Sequence, residues 1–495
     1  MSIVRHFPIL VVVVPLAGAA FTPLLALWRK KACMLFATAV ILLTTVISGF
    51  LMVRVLIDGP VSYHLGGWPP PWGIEIFLDQ LSAGAFVIAS LSLLIIIFSK
   101  RYVEKALEEN KIPVYYTLVV LNVAGMIGFV VTGDMFNLFV FMEILSLSAY
   151  ALVAIGGEKI AEMASFKYLL MGAISSLCIL LSIALLYSVL GTLNMRDMAV
   201  RLQELSSLTV PGVALALFMV SFFVKAAVFP LHVWLPDAHA IAPSPISAIL
   251  SGLVVKTGIV GILRVLSIYR IYGGLFDLAS LNFILSWVGA ISIIIGAFFA
   301  FFQNDIKMML AYSTISNIGY IILGIGLAST NGLIGSIVHV FNHALIKVTL
   351  FLCAGAIIHK TGHRNLSELR GIGRRMPLTM AAMSIGILSI VGIPPTNGFV
   401  CKWYIVLGAI QARKFFFAAT LLIGALLILG YYAKIINIAY FREPEEEVTY
   451  DEAPFSMLIP IGILAASCLL LGIFAFYPLK FIRPFAEELL RPWGP

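Results

Sequence analysis

The stretch Phe222–Gly258, FFVKAAVFPLHVWLPDAHAIAPSPISAILSGLVVKTG, sets Lys225 midway along one apolar segment and Lys256 midway along the next. Between them stand His232, Asp237, His239 and four prolines. A cation at the centre of a bilayer costs roughly 2.5–3.5 kcal/mol on insertion scales, and such residues are rare unless they line a pathway. Two of them in adjacent segments, around a proline-broken connection, point to an intramembrane path.

The remainder of the chain supports the membrane reading. Of 495 residues, 61% are hydrophobic and 11% charged, where a soluble domain carries about 25% charged residues. Most apolar windows are long enough to cross a hydrocarbon core of about 30 Å as a helix. Strand-type alternation is absent from them, so the expected class is an all-α polytopic membrane protein. The net charge of +8 reflects basic residues in loops beside the spans rather than a nucleic-acid partner. Five cysteines lie scattered with no CxxC pairing, which argues against a disulfide framework or an iron–sulfur site. The apolar run from Phe7 to Trp28 continues past a cleavage-like Ala17-Gly18-Ala19-Ala20 and ends on Arg29-Lys30-Lys31, as a first span does and a cleaved leader does not.

About fourteen spans are expected, near residues 7–28, 33–56, 78–99, 112–132, 135–154, 163–190, 211–234, 242–268, 282–302, 306–328, 332–358, 377–409, 415–440 and 455–478. The loops holding Arg29-Lys30-Lys31, Lys100-Arg101 and Lys360 to Arg375 are basic, whereas Asp58 to Glu75 carries no lysine or arginine. The positive-inside rule then makes the basic set cytoplasmic and places both termini on the outer side of the cell membrane. The 57–77 segment, with Trp68 and Trp72, reads as an ordered loop at headgroup level, and 442–454 as an acidic solvated connection. Pro230 and Pro236 in the seventh span, and Gly392–Gly398 (GIPPTNG) in the twelfth, predict broken helices. Five spans separate the breaks, which suggests two inverted five-helix repeats, spans 4–8 and 9–13. The chain then divides into 1–111 (helices 1–3), 112–268 (first repeat), 282–440 (second repeat) and 455–495 (helix 14).

Several titratable residues sit inside these spans. Glu143, in FNLFVFMEILSLSAYALV, is the lone acid of its span; a lysine on a neighbouring helix would account for its burial. His339, His343 and Lys347 recur at i, i+4 and i+8, so all three project from one helix face. Histidine relays protons near neutrality. Paired histidines also suit zinc or axial haem, but no glutamate follows His339 as HExxH requires. Lys402 lies beyond the second break as a counterpart to Lys225. His232, Asp237 and His239 flank the first break near the cytoplasmic surface and suggest where protons are taken up. Lys167 fits either an interfacial anchor or the path, and Lys307 and Lys434 read as interfacial anchors. There is no phosphate-binding loop, dinucleotide fingerprint or catalytic triad spacing, so no cofactor, metal or redox centre is expected in this chain.

Together FNLFVFMEILSLSAYALV, the 222–258 stretch, GSIVHVFNHALIKVTLF and VGIPPTNGFVCKWY resemble the antiporter-like subunits shared by respiratory complex I, Mrp-type sodium/proton antiporters, membrane-bound hydrogenases and sulfur-reducing complexes. The likeness covers nearly the whole chain and is strongest to the D subunit of Mrp antiporters and its counterpart in membrane-bound hydrogenase or sulfur-reductase complexes. It implies fourteen helices with inverted repeats at 4–8 and 9–13, pairing of Glu143 with Lys225, and a hydrophilic axis continuing through Lys256, His339, His343, Lys347 and Lys402. It also implies other membrane subunits as partners and protons as cargo, with sodium left open. The chain ends soon after span 14, without the long lateral helix of the distal complex I subunit. Lys402 occupies a position that some branches fill with glutamate. The alternatives are a mainly structural subunit whose neighbours exchange the ions, and a self-contained transporter of an organic solute.

Overall fold

Among the described residues, twelve helices are long and apolar enough to cross a bilayer, and two shorter apolar ones, Thr209–Lys225 and Pro377–Val391, begin where the two broken spans are expected. They are seen in a computed structural model that describes residues 3–30, 32–269, 278–444 and 449–490. Lys31, the 445–448 part of the acidic connection and the terminal 491–495 lie outside the described residues.

The chain opens with α1 (Phe7–Ala26) and α2 (Ala32–Asp58), then a hairpin of β1 (Val61–His64) and β2 (Glu75–Leu78). Six helices follow: α3 (Gly84–Ala106), α4 (Lys111–Val131), α5 (Met135–Ala154), α6 (Lys159–Leu190), the short α7 (Met195–Arg201) and α8 (Thr209–Lys225). Across the first break come α9 (Trp234–Ile241), α10 (Ser244–Ile249) and α11 (Val255–Tyr269). The second half holds α12 (Leu278–Phe301), α13 (Ile306–Gly326), α14 (Thr330–Thr361), α15 (Ile372–Arg375), α16 (Pro377–Val391), α17 (Asn397–Gln411), α18 (Phe415–Ile436), α19 (Phe455–Ile473) and α20 (Phe476–Leu490).

The 57–77 loop is ordered as expected, by an antiparallel hairpin pairing Val61 with Leu78 and His64 with Glu75. Its four-residue strands are too short for alternation to betray them. Beyond the last span, α20 is amphipathic and packs against α14.

Burial sorts the spans. The apolar window of Ser244–Tyr269 is wholly enclosed and those of α13 and α14 nearly so, while α1, α6 and α19 turn most of theirs outward. The centre of the bundle is therefore built from the helices that carry Lys256, His339, His343 and Lys347.

The two halves share local devices. Asp134 caps α5 by accepting from the Asn137 amide at 2.7 Å, and Asp305 caps α13 by accepting from Lys307 at 2.8 Å. Each also forms an isolated bridge, Asp134 with Asn194 and Asp305 with Asn365. The second pair follows the first by 171 residues (305 − 134 and 365 − 194), as does α14 after α6 (330 − 159), both helices being 32 residues long.

The breaks run from Ala226 to Val233 and from Gly392 to Thr396. At the first, the Trp234 indole donates at 2.8 Å to the Val224 carbonyl, which also accepts from the Ala227 amide at 3.1 Å. At the second, α16 stops on Gly392, whose φ of 93° lies in the left-handed region glycine tolerates.

Candidate ion-conducting axis

Burying an ammonium without water requires oxygen acceptors, and each lysine of the axis finds them. Lys225, Lys256, Lys347 and Lys402 are 2, 6, 0 and 7% exposed, which excludes snorkelling to an interface. Lys225, the last residue of α8, donates to Ser146 Oγ at 2.6 Å and to the Tyr150 hydroxyl at 3.2 Å, both on α5. Tyr150 is held there by close approach to Gly172 on α6, where a Cβ would collide with its hydroxyl.

Glu143 stands one turn before Ser146, yet its carboxylate accepts from Ser176 on α6. Glu143 and Lys225 lie within electrostatic reach, but among the described residues no direct ion pair joins them. In place of a direct pair, Glu143 is held by the Ser176 hydroxyl and Lys225 by those of Ser146 and Tyr150.

Lys256 follows a π-helical turn, Leu250–Val254. The wider turn loosens the normal ladder, and the Lys256 ammonium donates to the Ser251 carbonyl. Ser251 Oγ in turn meets Thr314 Oγ1 on α13 at 2.7 Å. One residue away, Ser313 Oγ accepts from Lys347 at 2.8 Å, which also donates to the Leu310 carbonyl at 2.8 Å. Lys347 and the serine that holds Lys256 thus both rest on one turn of α13, where the Leu310 carbonyl accepts from Lys347 and from Thr314 Oγ1.

The expected histidine face is present on α14. The rings of His339 and His343 stack 5.5 Å apart, and His339 Nδ1 lies 3.0 Å from Cys401 Sγ on α17. Neither ring nitrogen of His343, nor Nε2 of His339, has a protein partner. Among the described residues no group of three or more His, Cys, Asp or Glu side chains gathers as a metal site. Lys402 completes the file, 4.6 Å above the Tyr320 ring, donating to the carbonyls of Ile390 at 2.6 Å and Val391 at 3.3 Å. Lys225 and Lys402 are not counterparts in chain position: Lys225 ends the half-helix before its break, whereas Lys402 belongs to the half-helix after its own and reaches back.

The residues expected at the uptake side separate. Lys167 and Asp237 form a 2.7 Å ion pair at the surface. His232 is buried within the break, its ring 5.3 Å from Phe229 and its Nδ1 without a protein partner. His239 is wholly enclosed, stacked 5.0 Å from Phe351 and within electrostatic reach of Lys307, Lys347 and Lys256. It lies inside the axis rather than at its mouth.

Lys307, read from sequence as an interfacial anchor, is buried and donates to the Ala242 carbonyl at the α9–α10 turn. It lines a cavity of about 220 Å³ on the basic face, with Tyr102, Glu158, Pro243 and Arg364. Its position two residues inside the α13 cap resembles an anchor, and only the packing of the α9–α10 turn over it shows otherwise. Lys434 donates to the Gln303 carbonyl at 3.2 Å and to Asn304 Oδ1 at 2.9 Å.

The family described as NADH:quinone oxidoreductase/Mrp antiporter, TM matches residues 132–428. The chain is 36% identical to NADH-quinone oxidoreductase subunit N of Desulforudis audaxviator, over 95% of this chain and 96% of that protein. It is 31% identical to the D-type Na(+)/H(+) antiporter protein of Bacillus subtilis, over 99% and 98%. Among solved structures it is similar to a chain of the archaeal membrane-bound sulfane sulfur reductase (TM-score 0.90, 32% identity, 98% of each chain covered). A chain of the Mrp complex from a Dietzia species is also similar (TM-score 0.89, 26% identity, 99% and 98% covered).

Proposed function

The chain belongs to the NADH:quinone oxidoreductase/Mrp antiporter transmembrane family and is a multi-pass, antiporter-like membrane subunit, from which we propose that it carries protons along the lysine–histidine axis. Its relatives of known structure sit in multisubunit complexes, and it too works beside other membrane subunits. We place it in a cation/proton antiporter or a redox-driven ion-pumping complex, its basic face cytoplasmic and its termini outward.

One observation carries this reading. Lys225, Lys256, Lys347 and Lys402 are all held by hydroxyl or carbonyl oxygens and not by carboxylates. A structural ion pair would fix each charge, because breaking a buried pair strands its partner. A lysine solvated by neutral oxygens can give up and regain its proton without stranding a counter-ion. Glu143, within electrostatic reach of Lys225, is placed to strengthen or weaken the hold on that proton as the distance changes.

Protons are taken up on the basic face through the cavity beside Lys307, reach His239, and join the file of Lys256, Lys347, His343, His339 and Lys402. Lys225 loads the first half under the control of Glu143, while Asp237 and Lys167 guard the break from the surface. The matched caps and the two 32-residue helices support two inverted units, 112–268 and 282–440, each contributing one broken helix.

The test is proton-coupled transport by the assembled complex in vesicles. Glu143→Gln and Lys225→Ala should each abolish it while the complex still assembles; transport retained in both overturns the reading.

A further inference from the structure

On the face opposite the basic loops, a buried ion pair lies apart from the axis just described. Arg264 and Asp79 form a two-pronged contact, Nη1 to Oδ2 at 2.5 Å and Nη2 to Oδ1 at 2.9 Å, with side chains only 5 and 6% exposed. Arg264 Nη2 also reaches Ser82 Oγ at 3.1 Å and the Val130 carbonyl at 3.2 Å, while its Nε has no protein partner. Buried pairs of this kind contribute little net stability over apolar residues of similar size, so stability alone does not account for it.

Its surroundings suggest a role. Arg264 is eight residues, or about two turns, beyond Lys256 on α11, so the two share a helix face with Val260 between them. Lys256, Thr257, Val260 and Val130 line a pocket of about 30 Å³ whose walls are mostly apolar, which keeps it dry while the pair is closed. Val130 thus lines that pocket, and its carbonyl is held by Arg264. On the far side of the pair, Asp79 and Arg264 line a vestibule of about 780 Å³ formed by the hairpin, α7 and α20. Glu75 projects into this vestibule, buried, accepting from Ser62 at 2.5 Å, Asn194 at 2.6 Å and Arg196 at 3.4 Å. The succession along α11 is therefore lysine, small cavity, ion pair, open water-sized space.

We propose that Lys256 has a second outlet, running along α11 past Arg264 and Asp79 into the Glu75 vestibule, and that the Arg264–Asp79 pair closes it at rest. When the pair parts, water enters between the Lys256 pocket and the vestibule, and the Lys256 ammonium passes its proton to that water. The water carries it to the vestibule before the pair re-forms. Protons leaving this way bypass Lys402 and are not coupled to transport along the axis. The inference rests on the axis carrying protons.

The test uses the complex reconstituted in liposomes, with an imposed pH gradient followed by an entrapped pH dye. Asp79→Asn combined with Arg264→Gln removes the charges that hold the gate shut. The double variant should dissipate the gradient several-fold faster than wild type, and adding Lys256→Met should restore the wild-type rate. A Val260→Cys reporter should become reactive to a membrane-impermeant cationic thiol reagent applied on the vestibule side only in the double variant. A leak that persists without Lys256 is a packing defect and overturns the proposal, as do an absent leak and an unreactive Val260→Cys. These outcomes stand apart from the axis itself. Coupled transport surviving Glu143→Gln and Lys225→Ala removes the axis, whereas a missing Lys256-dependent leak, with coupling lost in those variants, removes only the second outlet.

Discussion

Lys402 crosses the break of its own span: its ammonium, on α17, donates at 2.6 Å to the carbonyl of Ile390 near the end of α16. A half-helix C-terminus presents open carbonyls and the negative end of the helix dipole, so a cation there is favoured. Lys225 is likewise in the last turn of α8. Both breaks therefore gather positive charge at the C-terminal end of a half-helix, one from within the helix and one from across the gap. Each charge-assisted bond of Lys402 is worth about 1.5–3 kcal/mol, offset by the cost of burying the ammonium. Lys402→Met should accordingly leave the complex assembled, with a melting temperature within a few degrees of wild type, while abolishing proton-coupled transport. A variant that transports normally, or one that fails to assemble, would count against the placement of Lys402 in the path.

The hydroxyl cradle of Lys225 depends on a glycine. Gly172 leaves the space that the Tyr150 hydroxyl occupies, and Tyr150 donates or accepts only while that space stays open. Gly172→Ala should lower transport about as much as Tyr150→Phe does. Because both act by withdrawing one hydroxyl from Lys225, the double variant should be no worse than the more severe single one, a non-additivity expected of residues in direct contact. Fully additive losses in transport rate would mean that Gly172 acts elsewhere.

The costly residues are legible in the sequence and their solvation is not. Lys225, Lys256 and Glu143 announce themselves because charge inside an apolar span is expensive, and Pro230 and Pro394 because they cannot continue a helix. Ser313 and Thr314, which meet Lys347 and the Ser251 that holds Lys256, carry no such signal: a hydroxyl satisfies itself on the preceding turn of any spanning helix, as Thr314 does on Leu310 at 3.0 Å. Lys307 misleads for the same reason in reverse. Its position near a span end suits an anchor, and only the packing of the α9–α10 turn over it makes it buried. Asp79 and Arg264 are 185 residues apart and meet only in three dimensions. The fold is largely readable because bilayer thickness fixes span length, whereas the short hairpin and α20 lie outside that constraint.

Outside the spans, Asp451 ties the end of α14 to α15, meeting Lys360 at 2.5 Å and Arg375 at 3.1 Å. Lys360 first, and Arg375 with it, hold its carboxyl below the usual carboxylate range. A carboxyl whose pKa is lower in the folded state adds stability above its unfolded value and loses it as pH falls through the folded one. The unfolded value is about 3.9, so the tie is intact at neutral pH and dissolves only in acid. Asp451→Asn should lower the melting temperature slightly at pH 7, and the gap from wild type should close as the pH drops below about 3.9. A gap that is constant with pH would assign the effect to packing rather than charge.

His343 presents the sharpest separation of function from stability. Its ring is fully buried on α14, and neither nitrogen has a protein partner. An unsatisfied buried polar atom costs about 1–3 kcal/mol, whereas an apolar side chain of similar size meets no such penalty. His343→Leu should therefore raise the melting temperature of the complex while cutting proton transport between Lys347 and His339. His343→Gln, which keeps a donor and an acceptor but cannot bind and release a proton near neutrality, should fail in transport as well. If His343→Gln transports at the wild-type rate, the imidazole is only a polar spacer for water in the file. If His343→Leu is strongly destabilised, the nitrogens are held by bonds that matter to the fold. Raised stability with lost transport in His343→Leu, together with lost transport in His343→Gln, is the outcome that a proton-relaying imidazole requires.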